Sequence, residues 1–220
     1  TRPAPRAGPQ RQLGMAGCVW QDAARPAAGA LGAALAQAAD PAVPARQHGA
    51  AAEPPPTTDV DLSGCQGLTD AAVGSLAALF PGMTALSLQG CASIGPVALT
   101  SLGRHAALRA LSLAGCHGLD STSDADFEDA PGSAALAALA IGSPGGAAAA
   151  LTSLDLSGVR ALCDAACGSL PALRALAALR LDGCTSLGLS AAPLGALPAL
   201  PALAELSLAD CPQLGGPALA

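Results

Sequence analysis

Leucine recurs through this chain at strand spacing and each time runs into a cysteine or its stand-in, a pattern that only a stack of like units can satisfy. The pattern reads L-x-x-L-x-L-x-x-C-x-x-L, and its six copies centre on Cys65, Cys91, Cys116, Val159, Cys184 and Cys211. The third copy, for instance, runs Leu108, Leu111, Leu113, Cys116, Leu119. Steps between successive centres are 26, 25, 43, 25 and 27 residues, a fixed period interrupted once. A unit of that length cannot bury its own leucines, so the period predicts a solenoid in which neighbouring copies bury them for each other.

Within each copy the order reads strand, turn, helix, loop. Alternation sends Leu86 and Leu88 to one face and Ala85, Ser87 and Gln89 to the other. After the cysteine, Leu68-Thr69-Asp70 supplies an oxygen side chain ahead of a helix over Ala71 to Leu79, where Val73, Leu76 and Phe80 share a face. Leu162-Cys163-Asp164 repeats that start, and Pro96 and Pro217 stand where a first helical turn tolerates proline. Helices are therefore expected on the outer face of every copy.

Composition narrows the function. Residues 57 to 220 carry five Arg against thirteen acids, and the whole chain holds only Trp20, Phe80 and Phe127 as aromatics. An acidic array poor in aromatics makes a poor phosphate and base binder, which argues against nucleic acid. The Ala-rich stretches are too weakly apolar and too broken by Gly and Pro to span a bilayer, which argues against a membrane partner. Alanine richness, with no Lys, Asn or Tyr in the chain, reads as mutational bias in the source genome.

Five of the eight cysteines occupy one repeated position, so their placement answers to the repeat. Stacked thiols there act as small buried side chains that bond backbone groups, which works best reduced and favours a cytoplasmic or nuclear location. Cys163 and Cys167 are i and i+4 on a helix, without the further ligands zinc needs, and neither metal nor cofactor is expected. The histidines are His48, His105 and His117, and no phosphate loop or nucleophile elbow occurs. No reaction is indicated.

Two regions depart from the repeat. Residues 1 to 56 are rich in Pro, Ala and Arg, with helical character over Gln10 to Arg25 and Ala28 to Ala39 and a linker over 40 to 56. The long step contains an insertion near 120 to 135, whose Asp120 to Asp129 run holds five of the thirteen acids and reads as a solvated loop. The first residue is Thr and the last copy halts where its helix should begin, so the sequence is expected to be a piece of a longer protein.

Residues 57 to 220 resemble the cysteine-containing leucine-rich repeat family, whose copies run L-x-L-x-x-C-x-x-L/I-T-D. The copy Val60-Asp-Leu62-Ser-Gly-Cys65-Gln-Gly-Leu68-Thr69-Asp70 is close to that consensus, and Val159 at a cysteine position is a departure. The resemblance implies an α/β horseshoe with a parallel sheet on the concave face and helices on the convex face. It also implies a binding scaffold, many members being F-box proteins that choose substrates for cullin-type ubiquitin ligases. Leu13-Gly-Met15-Ala-Gly-Cys18-Val-Trp20 resembles the closing helix of an F-box, with its cysteine-to-tryptophan gap one residue short.

The expected function is therefore protein binding without catalysis, as the substrate-recruiting arm of an F-box-like ligase or as a scaffold subunit of a cytoskeletal or ciliary assembly. The expected partner surface is the concave face, formed by Asp59, Asp61, Ser63, Ser87, Gln89, Asp155, Arg180, Asp182 and Glu205 with small residues such as Ala85 and Ala114 between them. Five acids against one base direct it toward a basic protein surface. A cullin-ligase adaptor is the second expected partner.

Overall fold

The computed structural model of the protein describes residues 11–14, 16, 17, 57–120, 136, 137, 139, 150–160, 162–188 and 199–215. Its framework is one all-parallel sheet of seven strands that follow one another in chain order. They are β1 (Arg11–Gly14), β2 (Thr57–Asp61), β3 (Ala85–Ser87), β4 (Ala110–Ser112), β5 (Ser153–Asp155), β6 (Ala178–Arg180) and β7 (Glu205–Ser207). With helices between several of the strands, the architecture is α/β.

Register follows the repeat. Leu86 stands opposite Val60 and Leu111, Leu154 opposite Leu111 and Leu179, and Leu206 opposite Leu179. Each such residue from β2 to β6 is at most 2% exposed, and so is each leucine two positions on, from Leu62 to Leu181. Burying one leucine of this kind stabilises by about 1.5–3 kcal/mol, so the stack of copies accounts for the core. Leu206 is 42% exposed, because among the described residues no strand follows β7 to cover it.

The turn after each strand is as regular as the strand. In one copy, the Leu62 amide donates to the Ser87 carbonyl and the Gly64 amide to the Gln89 carbonyl; the next copies repeat both bonds one step along. The residue before each cysteine needs positive φ. Glycine fills that place with φ between 65° and 73° from Gly64 to Gly183, while Asp210 takes it at 55° in the last copy. Short Asp side chains tolerate this conformation better than most non-glycine residues.

Helices are less regular than the sequence leads one to expect. Among the described residues two copies carry full helices, α1 (Asp70–Leu79) and α2 (Pro96–Gly103), with Pro96 in the first turn as anticipated. In the copy centred on Val159 the helix is cut to α3 (Asp164–Cys167) and a 3-10 turn at Leu170–Ala172, while 3-10 turns at His117–Asp120 and Pro212–Gly215 directly follow Cys116 and Cys211. Gly168, Ser169 and Pro171 interrupt the fourth copy before a second turn can form. Pro217 lies outside the described residues.

One expectation is overturned at the start of the chain. The helical character assigned to Gln10–Arg25 fails at Arg11–Gly14, which is strand β1, pairing parallel with β2 so that Leu13 faces Val60 and Gly14 faces Asp61. The Gly17 amide then donates to the Ser63 carbonyl, the bond that Gly64 makes to the next copy. The sheet therefore begins upstream of residue 57. The linker, the Ala28–Ala39 patch, Cys18, Trp20 and the acidic run from 121 to 129 lie outside the described residues.

Candidate functional site on the open face of the sheet

Among the described residues, no element packs over one face of the sheet. In β3, β4 and β5 the middle leucine is buried and its two neighbours are half-exposed on the opposite side. The residues expected on this face lie there or in the turn beyond it. Asp61, Gln89, Arg180 and Glu205 are exposed, and Asp59, Ser63, Ser87, Asp155 and Asp182 are half-buried. Ala114, also expected there, is buried.

A groove of about 510 Å³ brings most of them together. Asp59 and Asp61 stand at one end, Asp155 and Arg180 at the other, and Ala85, Ser87, Ala110, Ser112 and Ser153 form the floor. A second groove of about 330 Å³ joins Arg180 to Asp182 and Glu205. Ser63 and Gln89 line neither, since they sit past the strand ends.

Several of the acids hold the turns. Asp61 Oδ1 accepts from the Ser63 amide at 3.0 Å and its hydroxyl at 2.6 Å, and Asp155 repeats both bonds with Ser157 at the same distances. Asp182 reaches the next copy instead, accepting from the Ser207 hydroxyl at 2.6 Å and the Ala209 amide at 2.7 Å. Asp59 accepts a long 3.4 Å bond from the Thr84 hydroxyl. A row of hydroxyls links the copies too, with 2.7 Å between Ser63 Oγ and Ser87 Oγ.

The thiols are bound to the framework. Cys91, Cys116, Cys184 and Cys211 each donate to the carbonyl of a leucine in the preceding copy, respectively Leu62 at 3.2 Å, Leu88 at 3.0 Å, Leu156 at 3.4 Å and Leu181 at 3.1 Å. Burial pushes the Cys91 thiol up, and pushes Cys167 and Cys184 up to about 12. Thiols so held stay protonated and unreactive at neutral pH.

His105 is a site the sequence reading passed over. It stands eleven residues before Cys116, where three of the other copies place Phe80, Leu173 and Leu200, and it is 6% exposed. Its Nε2 lies 2.9 Å from the Phe80 carbonyl, which can only accept, so Nε2 carries the proton; Nδ1 has no partner. Aligning the copies on their cysteines reveals the substitution. His117, beside Cys116, is exposed, while the thiol is buried and donates to the Leu88 carbonyl.

Among the described residues no group of His, Cys, Asp or Glu could hold a metal ion, and no helix is long and apolar enough to cross a membrane. Comparison with family models and with characterised proteins finds no match.

Proposed function

We propose that the chain is a leucine-rich repeat solenoid of horseshoe form that binds another protein on the open, concave face of its sheet and performs no catalysis. The observation that carries this reading is the seven-stranded in-register sheet whose uncovered face presents a polar groove over small side chains. An open polar groove in which the described residues bring together no nucleophile, base or metal ligands suits recognition. Thiols that serve as buried donors are best supported by a reducing compartment, cytoplasm or nucleus.

Of the two roles expected, the scaffold subunit of a larger assembly is the better supported. Strand β1 gives Leu13 the register of Val60 and gives Gly17 the bond that Gly64 makes. Leu13 to Gly17 then follow the repeat, and the feature that pointed to an F-box loses its independent weight. The ligase arm rests on the array alone.

The test is affinity purification with the tagged full chain, run beside Ser112→Trp, which fills the groove floor. A partner recovered with the wild type and lost with Ser112→Trp supports the reading. Partners retained by both proteins exclude this face. Recovery of a cullin-ligase adaptor would restore the ligase role over the scaffold.

A further inference from the structure

Resting on the reading of this face as a docking surface, we infer that its occupant is an extended, cationic polypeptide segment with an Arg or Lys seated on Asp59 and Asp61. The charges of the groove are not evenly spread. Asp155 and Arg180 are register partners on adjacent strands, so the acid at that end stands beside a base. Opposite charges so placed compensate each other. At the β2 end, the partners of Asp59 and Asp61 among the described residues are hydroxyls and one backbone amide, not cations. Among the described residues no cation pairs with that end, and residues 57 to 220 together carry thirteen acids against five Arg.

The floor fixes the conformation of the occupant. Across β3 and β4 it is built from Ala85, Ser87, Ala110 and Ser112, with no side chain to hold a partner's main chain away. Strands lie about 4.8 Å apart, so β2 to β5 is roughly 14 Å, which four extended residues span at about 3.4 Å each. A helix, about 10–12 Å wide with its side chains, holds its own backbone about 5 Å above the floor, whereas an extended main chain can lie on it. An extended segment rests on the floor with one cation over Asp59 and Asp61, its chain running on toward the Asp155–Arg180 pair. Attraction of this kind raises the association rate and sets orientation, and salt weakens it.

The experiment measures fluorescence anisotropy of labelled Gly/Ser octapeptides with the full 220-residue chain. One peptide carries Arg at its second position, a control carries Glu there, and both are titrated at low and high salt. The Arg peptide is expected to bind and the Glu peptide not to bind. Asp59→Asn with Asp61→Asn should weaken the Arg peptide at least about fivefold, because each loses a charge while Asn keeps the oxygens that Thr84 donates to at 59 and Ser63 at 61. Asp124→Asn with Asp126→Asn removes the same charge from the acidic run and should change affinity by less than about twofold. Should the first pair shift the thermal midpoint, Ser87→Arg takes its place, setting a cation on the floor, and is expected to abolish binding.

No binding of the Arg peptide, equal losses from the two Asn pairs, or undiminished binding by Ser87→Arg overturns the inference. The wider reading fails separately. If Ser112→Trp removes a protein partner that the Asp59→Asn, Asp61→Asn chain retains, the face is a docking surface and its occupant is not cationic.

Discussion

The Asp70 carboxylate accepts a 2.6 Å hydrogen bond from the Gly95 amide of the following copy, and Asp164, at the same place two copies on from Gly95, accepts from Gly188 at 2.9 Å. This carboxylate was expected to cap its own helix. The helix begins after Thr69, whose side chain makes no cap bond, and Asp70 instead ties one copy to the next. Gly95 suits the contact because a Cβ there would sit 3.1 Å from Asp70 Oδ2.

Asp70→Ala therefore loosens a joint. It leaves the half-buried Gly95 amide without its charged acceptor and should cost about 1.5–3 kcal/mol. Asp70→Asn, which keeps an acceptor oxygen, should cost less than half of that. Urea midpoints of the two variants against wild type check the order, and an Ala variant as stable as the Asn variant would refute the role.

The period of the copies, their parallel order and the buried leucines were legible in the sequence because they depend on spacing alone: Leu86 and Leu111 must face the same way if each stands five residues before its cysteine. The solvent-facing acids were legible for the same reason. What Asp61, Asp155 and Asp182 do there was not, since a carboxylate two residues before a serine bonds within its turn whereas one in the next copy reaches across. Strand β1 was missed because Leu13 to Gly17 carries only a fragment of the pattern and a step of 47 residues separates Gly17 from Gly64. The shortening of the helix at Asp164–Cys167 was missed because Leu170 and Leu173 keep the buried spacing through the 3-10 turn that replaces it.

The thiol series has one gap, at Val159, which cannot donate to the Leu113 carbonyl as Cys116 does to Leu88. The same joint gains two bonds of its own, from the Thr152 hydroxyl to the Arg109 carbonyl at 3.0 Å and from Arg109 Nη1 to the Ala150 carbonyl at 3.4 Å. Val159→Cys should restore the missing donor with little change of volume and stabilise by about 0.5–1.5 kcal/mol. Hydrogen exchange at the Leu113 and Gly115 amides, which cross this joint to Asp155 and Ser157, should slow. Unchanged exchange and an unchanged urea midpoint would show that the thiols do not tie the copies.

His105 makes the opposite kind of prediction. Replacing it by Leu, the residue at the equivalent places 173 and 200, removes an unpartnered buried Nδ1. The Phe80 carbonyl does not become an orphan, because it also accepts from the Met83 amide at 3.0 Å. His105→Leu should therefore stabilise by about 1–3 kcal/mol, the cost of a buried polar atom without a partner. A lower melting temperature for His105→Leu would mean that the imidazole serves the slot better than an apolar side chain.

Alkali should unfold the protein through its thiols. Cys167 and Cys184 hold their protons up to about 12 in the folded chain, chiefly because burial penalises the thiolate, against 9.0 for an ordinary thiol. Below about pH 9 the folded and unfolded states bind the same proton and this contribution to stability is complete. Between 9 and about 12 the unfolded chain releases it while the folded chain does not, so stability falls by about 1.4 kcal/mol per pH unit for each thiol. Urea midpoints measured from pH 8 to 11 should decline, and the decline should be shallower in Cys167→Ala. In that variant the Cys184 contribution persists while a methyl-sized side chain replaces the other thiol, lowering stability at pH 8 as well. The diagnostic is therefore the slope with pH, and a slope equal to that of the wild type would show that the buried Cys167 thiol is not what alkali attacks.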